Sequence, residues 1–147
     1  MNKNIFYPLA LAGLTAAFAA ACGGKDAPPP AAQAPQGTLS AQDERTPLPG
    51  GGWFTWRFAD KPKLGTPIAR VQVFDKAGAQ DTAYEVIGEY GMPSMRYHDS
   101  GPVKFRLNKR GAYLLPVNIV MAGEWELKIR IMKGTEKLYE GAVLFTI

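Results

Sequence analysis

Two methionines and the only histidine of this 147-residue chain recur at intervals of three in the segment YGMPSMRYHDSG, residues 90–101. Thioether sulfur and imidazole nitrogen are the soft and borderline donors that suit Cu(I), and copper in either oxidation state favours imidazole. Pro93 narrows the backbone choices between the two methionines, so a turn there would bring both sulfurs and the imidazole together. The segment therefore predicts a copper site with Met92, Met95 and His98 as candidate ligands. Met121, at the end of a later predicted strand, is the fourth candidate.

The same methionines have an alternative role in packing. Methionine often fills irregular gaps in cores, and Met121 shares its strand parity with the apolar Val117 and Ile119. Core packing is therefore favoured for Met121, and loop packing and metal binding both remain open for Met92 and Met95.

In the metal-free alternative the domain is an interaction module of envelope or respiratory-complex assembly, because aromatic and arginine side chains dominate interface energetics. Its candidate anchors are Trp53, Tyr90, Arg96 and Tyr97.

The first 22 residues, MNKNIFYPLALAGLTAAFAAAC, have the layout of a secretory signal peptide. A short basic start at Lys3 precedes an apolar run that is too short to span a membrane comfortably. The alanines before Cys22 resemble the lipobox of bacterial lipoproteins. That resemblance implies removal of residues 1–21 and acylation of Cys22, which would anchor the chain to a membrane facing the periplasm. Gly23 after the cysteine resembles an outer-membrane address.

Residues 22–52 contain six prolines and no aromatic residue. Such a composition favours a disordered tether, because it offers little apolar surface to offset the entropy lost on ordering. The domain is predicted to occupy residues 53–147.

From Trp53 onwards, aromatic and β-branched residues alternate with polar residues in short runs separated by turn formers. About seven strands at intervals of roughly ten residues predict an all-β fold, an immunoglobulin-like antiparallel β-sandwich. Tyr113 in RGAYL has the setting of a tyrosine corner. The predicted strands lie near residues 53–59, 68–75, 83–90, 103–107, 112–121, 124–132 and 137–147.

The composition also bears on other functions. The net charge of +4 is spread over the chain with no basic block, which argues against a nucleic-acid partner. A Ser–His–Asp arrangement would have to use residues of a single short loop, where they are too close in sequence to orient one another across a cleft. We therefore expect a binding domain and no enzyme activity.

A family resemblance adds to these expectations. The segments GMPSMRYH and GAYLLPVNIVMAGEWELKIRI resemble the YtkA-like domain family, which is related in pattern to the periplasmic part of FixH-type proteins. The resemblance covers roughly residues 66–147 and implies an immunoglobulin-like sandwich on the outer side of a bacterial membrane. It also implies copper handling or oxidase assembly, with a copper-accepting or envelope protein as partner, and supports the four ligand candidates named above. Arg96 and Tyr97 replace the small residues that this family often has between the second methionine and the histidine.

Overall fold

The structure, a computed structural model, describes residues 36–95, 97 and 99–147. These residues form ten strands and no helix. The strands are β1 Gln36–Thr38, β2 Thr46–Pro47, β3 Trp53–Phe58, β4 Ile68–Phe74, β5 Glu85–Gly91, β6 Val103–Lys104, β7 Arg106–Leu107, β8 Tyr113–Pro116, β9 Glu124–Lys133 and β10 Glu136–Thr146.

The strands form two five-stranded sheets that share one core. Sheet A has the order β1-β10-β9-β5-β6, and sheet B has the order β2-β3-β4-β8-β7. All pairings are antiparallel except that of β1 with β10. The order β10-β9-β5-β6 corresponds to strands G, F, C and C′ of an immunoglobulin domain, and β3-β4-β8-β7 corresponds to A, B, E and D. The predicted immunoglobulin-like β-sandwich is confirmed.

Alternation along the strands builds the core. Along β9 the side chains from Trp125 to Ile131 alternate between almost complete burial and partial exposure. The residues of β3 alternate between burial and partial exposure in the same way, and Phe54 is fully buried. Each such apolar side chain contributes about 1.5–3 kcal/mol when it leaves water, so these two strands alone supply a large share of the hydrophobic free energy.

The domain begins earlier than residue 53. Residues 36–52, predicted to be part of the tether, are packed against the sandwich. Leu39 and Leu48 are each only 4% exposed, and Thr46 is buried as well. The indole nitrogen of Trp56 donates to the carbonyl of Ser40 at 2.8 Å. Composition pointed to a tether because these few apolar residues do not alternate; they are buried by strands distant in the sequence.

Two predicted strands also differ from expectation. The segment 103–107 divides at Phe105 into β6 in sheet A and β7 in sheet B, which leaves Leu107 about half exposed rather than on one buried side. The predicted long strand 112–121 ends at Pro116, and Ile119 then makes an isolated bridge with Gly65. Beyond Pro116 single backbone hydrogen bonds continue, since the N–H of Val117 donates to the carbonyl of Pro67 at 2.9 Å. The seven predicted strands thus become ten through this division and the addition of β1 and β2.

Tyr113 does not form a tyrosine corner. Its hydroxyl donates to the carbonyl of Tyr84 at 2.9 Å, a residue 29 positions earlier in the chain. A corner tyrosine bonds the backbone a few residues upstream, near the start of strand F, whereas Tyr113 begins the strand that corresponds to E. The contact instead connects β8 in sheet B to the segment that leads into β5 in sheet A.

The predicted signal peptide (residues 1–21), Cys22 and residues 23–35 lie outside the described residues. Within the residues that are described, no helix has the length and hydropathy needed to cross a membrane.

Candidate functional site

Two of the three copper-candidate methionines, Met92 and Met95, belong to the loop between β5 and β6, residues 92–102. Ser100 closes the stem of this loop: its N–H donates to the carbonyl of Tyr90 at 2.8 Å, and its hydroxyl accepts from the N–H of Tyr90 at 3.0 Å. Glycine at position 91 allows the end of the loop to pass close to its start, because a Cβ there would overlap the carboxylate of Asp99. The loop is therefore held at a defined exit from β5.

A tight turn joins Met92 to Met95. The N–H of Met95 donates to the carbonyl of Met92 at 2.9 Å, and Pro93 occupies the second position of the turn. Proline is common at that position because its fixed φ suits type I and type II turns. The turn predicted at Pro93 is thus present, and it brings the backbones of the two methionines together.

The two side chains have different surroundings. Met92 is 4% exposed and belongs to the core, whereas Met95 is 45% exposed. The terminal methyl carbon of Met92 would lie 2.6 Å from a Cβ on Gly123, so Met92 packs directly over that glycine. Gly123 also has a φ of +143°, which glycine adopts most easily.

Met121 lies two residues before Gly123 in the sequence. It is half-buried and packs against the core, and its carbonyl accepts a hydrogen bond from the indole nitrogen of Trp125 at 3.1 Å. Gly123 exchanges two backbone hydrogen bonds with Ile147, and these fix the entry into β9. Two segments about thirty residues apart in sequence therefore meet at one end of the sandwich, and we call it the methionine end. It comprises Met92, Met95, Met121 and Gly123.

The fourth methionine of the described residues lies elsewhere. Met132 pairs with Glu85 at the other end of β9 and β5. His98 and Arg96, candidates for metal and partner binding respectively, lie outside the described residues.

The three predicted partner anchors that the structure describes do not form one surface. Tyr97 is fully exposed in the β5–β6 loop, and Tyr90 is half-buried at its stem. Trp53 lies at the start of β3 on the outer face of sheet B, where its ring stacks on Phe74 at 3.9 Å between centroids. Of the described anchors, the structure places Tyr97 and Tyr90 at the methionine end and Trp53 away from it.

A cavity of about 290 Å³ adjoins the β5–β6 loop. Its charged wall was not predicted from sequence, because it requires the register that sets Glu89 opposite Lys128 and Gly91 opposite Glu126. Within the described part of the chain, no three His, Cys, Asp or Glu side chains gather in a way that could hold a metal ion. The cavity is lined by Glu89, Tyr90, Gly91, Met92, Pro93, Asp99, Glu126 and Lys128.

Comparison with known proteins returns no matching family model, no matching curated protein and no matching solved structure.

Proposed function

We propose that this chain is a lipid-anchored binding domain of the bacterial envelope that faces the periplasm and holds or passes Cu(I) at the methionine end. The observation that carries the proposal is the clustering of thioethers: three of the four methionines in the described residues lie at this end, and Met132 alone lies at the other. Thioether sulfur suits Cu(I), and outside the cytosol it survives where thiols are lost to disulfides.

The graded exposure of the methionines assigns them different roles in the proposal. Met95 is exposed and serves as the donor that an incoming ion or a partner protein meets first. His98 is its nitrogen partner by sequence spacing. Met92 lies deeper, against Gly123, and the half-buried Met121 packs on the core, so these two residues supply the apolar floor and inner sulfur atoms. A site of this composition leaves a coordination position open for transfer to a copper-accepting protein.

Titration of the purified lipoprotein with Cu(I) against a competing chelator tests the copper site. We expect the Met95→Ala/His98→Ala variant to bind Cu(I) more than about tenfold more weakly, because even groups that only orient a metal ligand cost that much when removed. The matched control is Met132→Ala, which removes a thioether from the other end of the sandwich and should retain wild-type affinity. Equal Cu(I) affinity in the wild type and both variants would contradict a copper site at the methionine end.

A second candidate function is metal-free docking of an envelope or respiratory-complex protein at the same end. Burial of Met92 in the core favours it, as does the full exposure of Tyr97 beside the exposed Met95. Aromatic side chains of this kind dominate interface energetics. A photo-crosslinker at Tyr97 would then capture an envelope protein that the same probe at Thr135, in the turn between β9 and β10, does not capture.

The anchor is proposed from the sequence of residues 1–22. Acylation of Cys22 would attach several hydrocarbon chains, each contributing about 0.8 kcal/mol per buried CH₂ group. Labelling of the protein with palmitate tests this, and Cys22→Ser should abolish the label. A Cys22→Ser protein that remains labelled would show that another residue carries the lipid.

A further inference from the structure

Three arginines form a row across the outer face of sheet B. Arg57 on β3 pairs with Arg70 on β4, Arg70 pairs with Leu114 on β8, and Leu114 pairs with Arg106 on β7. Adjacent strands are about 4.8 Å apart, so the row spans roughly 15 Å in a single line perpendicular to the strands. These residues are distant in sequence, and only the register of four strands brings them together.

The positive charge of this row is poorly compensated. Among the described residues, no Asp or Glu occupies an outward-facing position on the strands of sheet B. The nearest counter-charge is Asp43, whose carboxylate is 3.7 Å from Arg57, and the two side chains are 67% and 44% exposed respectively. Exposed pairs of this kind contribute little. The Nε of Arg70 is buried and has no hydrogen-bond partner. The residue opposite Arg70 on β3 is the like-charged Arg57, which is an unfavourable cross-strand pair.

Sheet A differs in this respect. Several of its outward cations have carboxylates beside them, since Lys104 contacts Glu85 at 2.9 Å and Arg130 contacts Glu140 at 2.6 Å. The arginine row is therefore specific to one face of the sandwich rather than a consequence of the overall positive charge of the chain. An anionic partner would satisfy the guanidinium groups of sheet B, because arginine pairs with phosphate and carboxylate through two parallel hydrogen bonds.

Apolar groups flank the row on the same face. Trp53 is half-buried there, and the guanidinium carbon of Arg45 lies 4.3 Å from the centroid of its ring. Ile68, at the other end of β4 from Phe74, is 38% exposed. Tryptophan and arginine stems favour the boundary between apolar and polar surroundings, so this combination suits a lipid interface.

We infer that the outer face of sheet B, which we call the arginine face, docks on the phosphate headgroups of an anionic membrane surface. The inference rests on the lipid anchor of the proposed function. Residues 23–35 alone separate Cys22 from β1, because residues 36–52 are packed on the domain. Thirteen residues reach at most about 45 Å, so an anchored domain stays within reach of the bilayer that holds it. Docking in this way leaves sheet A and the methionine end open to periplasmic partners.

The fluorescence of Trp53 provides a direct measurement. Trp56 and Trp125 are at most 2% exposed, so Trp53 is the tryptophan that a quencher can approach. The acylated protein is incorporated into phosphatidylcholine vesicles that carry a doxyl-labelled lipid, with or without phosphatidylglycerol. We expect phosphatidylglycerol to increase quenching of Trp53, and high salt to reverse the increase, because salt screens exposed charges.

Charge-matched variants locate the effect on the arginine face. Replacing Arg57, Arg70 and Arg106 by Gln should lower the ratio of docked to free domains on the order of a hundredfold, since each basic residue near an anionic surface contributes about fivefold. The Arg57→Gln/Arg106→Gln variant, which keeps the partly buried Arg70, should show an intermediate loss. The control removes an equal charge from sheet A and should dock as the wild type does; it replaces Lys104, Lys128 and Lys137 by Gln.

The outcomes separate this inference from the anchor. A protein that carries no lipid and fails to enter neutral vesicles contradicts the anchor. A protein that is incorporated but shows the same Trp53 quenching with and without phosphatidylglycerol overturns the arginine face as a membrane surface. An equal response of the arginine and lysine variants overturns it as well, because non-specific charge attraction would then suffice.

Discussion

Met92 contributes to the stability of the fold whether or not it binds an ion. Its side chain is buried over Gly123, and deletion of a buried methionine side chain to alanine typically costs 2–5 kcal/mol. A loss of copper binding in Met92→Ala would therefore not distinguish a ligand from a core residue. Met95 is the informative position, because its exposed side chain can be removed with little effect on packing.

Tyr113 illustrates a polar group that connects the two layers. Its ring is buried in the core and its hydroxyl reaches the carbonyl of Tyr84. A buried hydroxyl without a partner would be unfavourable, and a hydrogen bond of this kind contributes about 1 kcal/mol net. The residue therefore helps to fix the position of β8 relative to the segment that precedes β5.

At the level of elements, residues 36–52 behave as a strap over the open edges of both sheets. β1 pairs with β10 in sheet A, and β2 pairs with β3 in sheet B, so one short segment covers an edge of each. The strap is held by the N–H of Leu39, which donates to the carbonyl of Ala142 at 2.8 Å, and by the burial of Leu39 and Leu48. Covered edges also protect a sandwich from pairing with other chains.

Removal of the Leu39 side chain tests whether the strap stabilises the domain. We expect Leu39→Ala to lower the free energy of unfolding by about 2–5 kcal/mol, because it leaves a cavity in the core. The control is Leu144→Ala on β10, where the side chain is 55% exposed and the change should stay within about 0.5 kcal/mol. Urea denaturation followed by fluorescence measures both. Equal midpoints for the two variants would mean that the strap is not part of the folding unit.

The strands that could be predicted are those whose residues alternate. The inward residues of β3 and β9 follow the sequence pattern position by position, because each strand has one face on the core. The strap was missed because its pairing is set by distant partners and its apolar residues are few. The segment 103–107 alternates as well, yet it divides between two sheets at Phe105, a choice that depends on the path of the chain and not on periodicity.

At the level of the whole molecule, the candidate site was predictable in part. Sequence spacing placed a turn at Pro93 and grouped the methionines, and the turn is present. Which methionine is buried depends on the contact between Met92 and Gly123 across thirty residues, and no local pattern encodes it. The arginine face was missed for the same reason: its members are separated by up to about fifty residues, and each looks like an ordinary surface cation until the register is known.

The titratable groups of the fold set limits on its stability at both ends of the pH range. The hydrogen bond from Arg130 holds the pKa of Glu140 below its ordinary value, although partial burial opposes the shift and Lys137 adds to it. Burial raises the pKa of Tyr113, with the hydrogen bond to the Tyr84 carbonyl acting in the opposite direction. Burial likewise raises the pKa of Tyr139. The carboxylate is thus stabilised in its charged form and the two phenols in their neutral forms.

The free energy of unfolding should therefore fall at both acid and alkaline pH, with different residues responsible. The contribution of Glu140 is complete above the carboxylate pKa of the unfolded chain and is lost as the pH falls through the lower pKa of the folded protein. The contribution of the tyrosines is complete below the phenol pKa of the unfolded chain and is lost as the pH rises through their higher pKa in the folded protein. Urea midpoints measured across the pH range should show Glu140→Gln losing stability near neutrality but converging on the wild type in acid, and Tyr113→Phe reducing the decline in alkali. A constant difference between Glu140→Gln and the wild type at every pH would show that the ion pair with Arg130 does not contribute to stability.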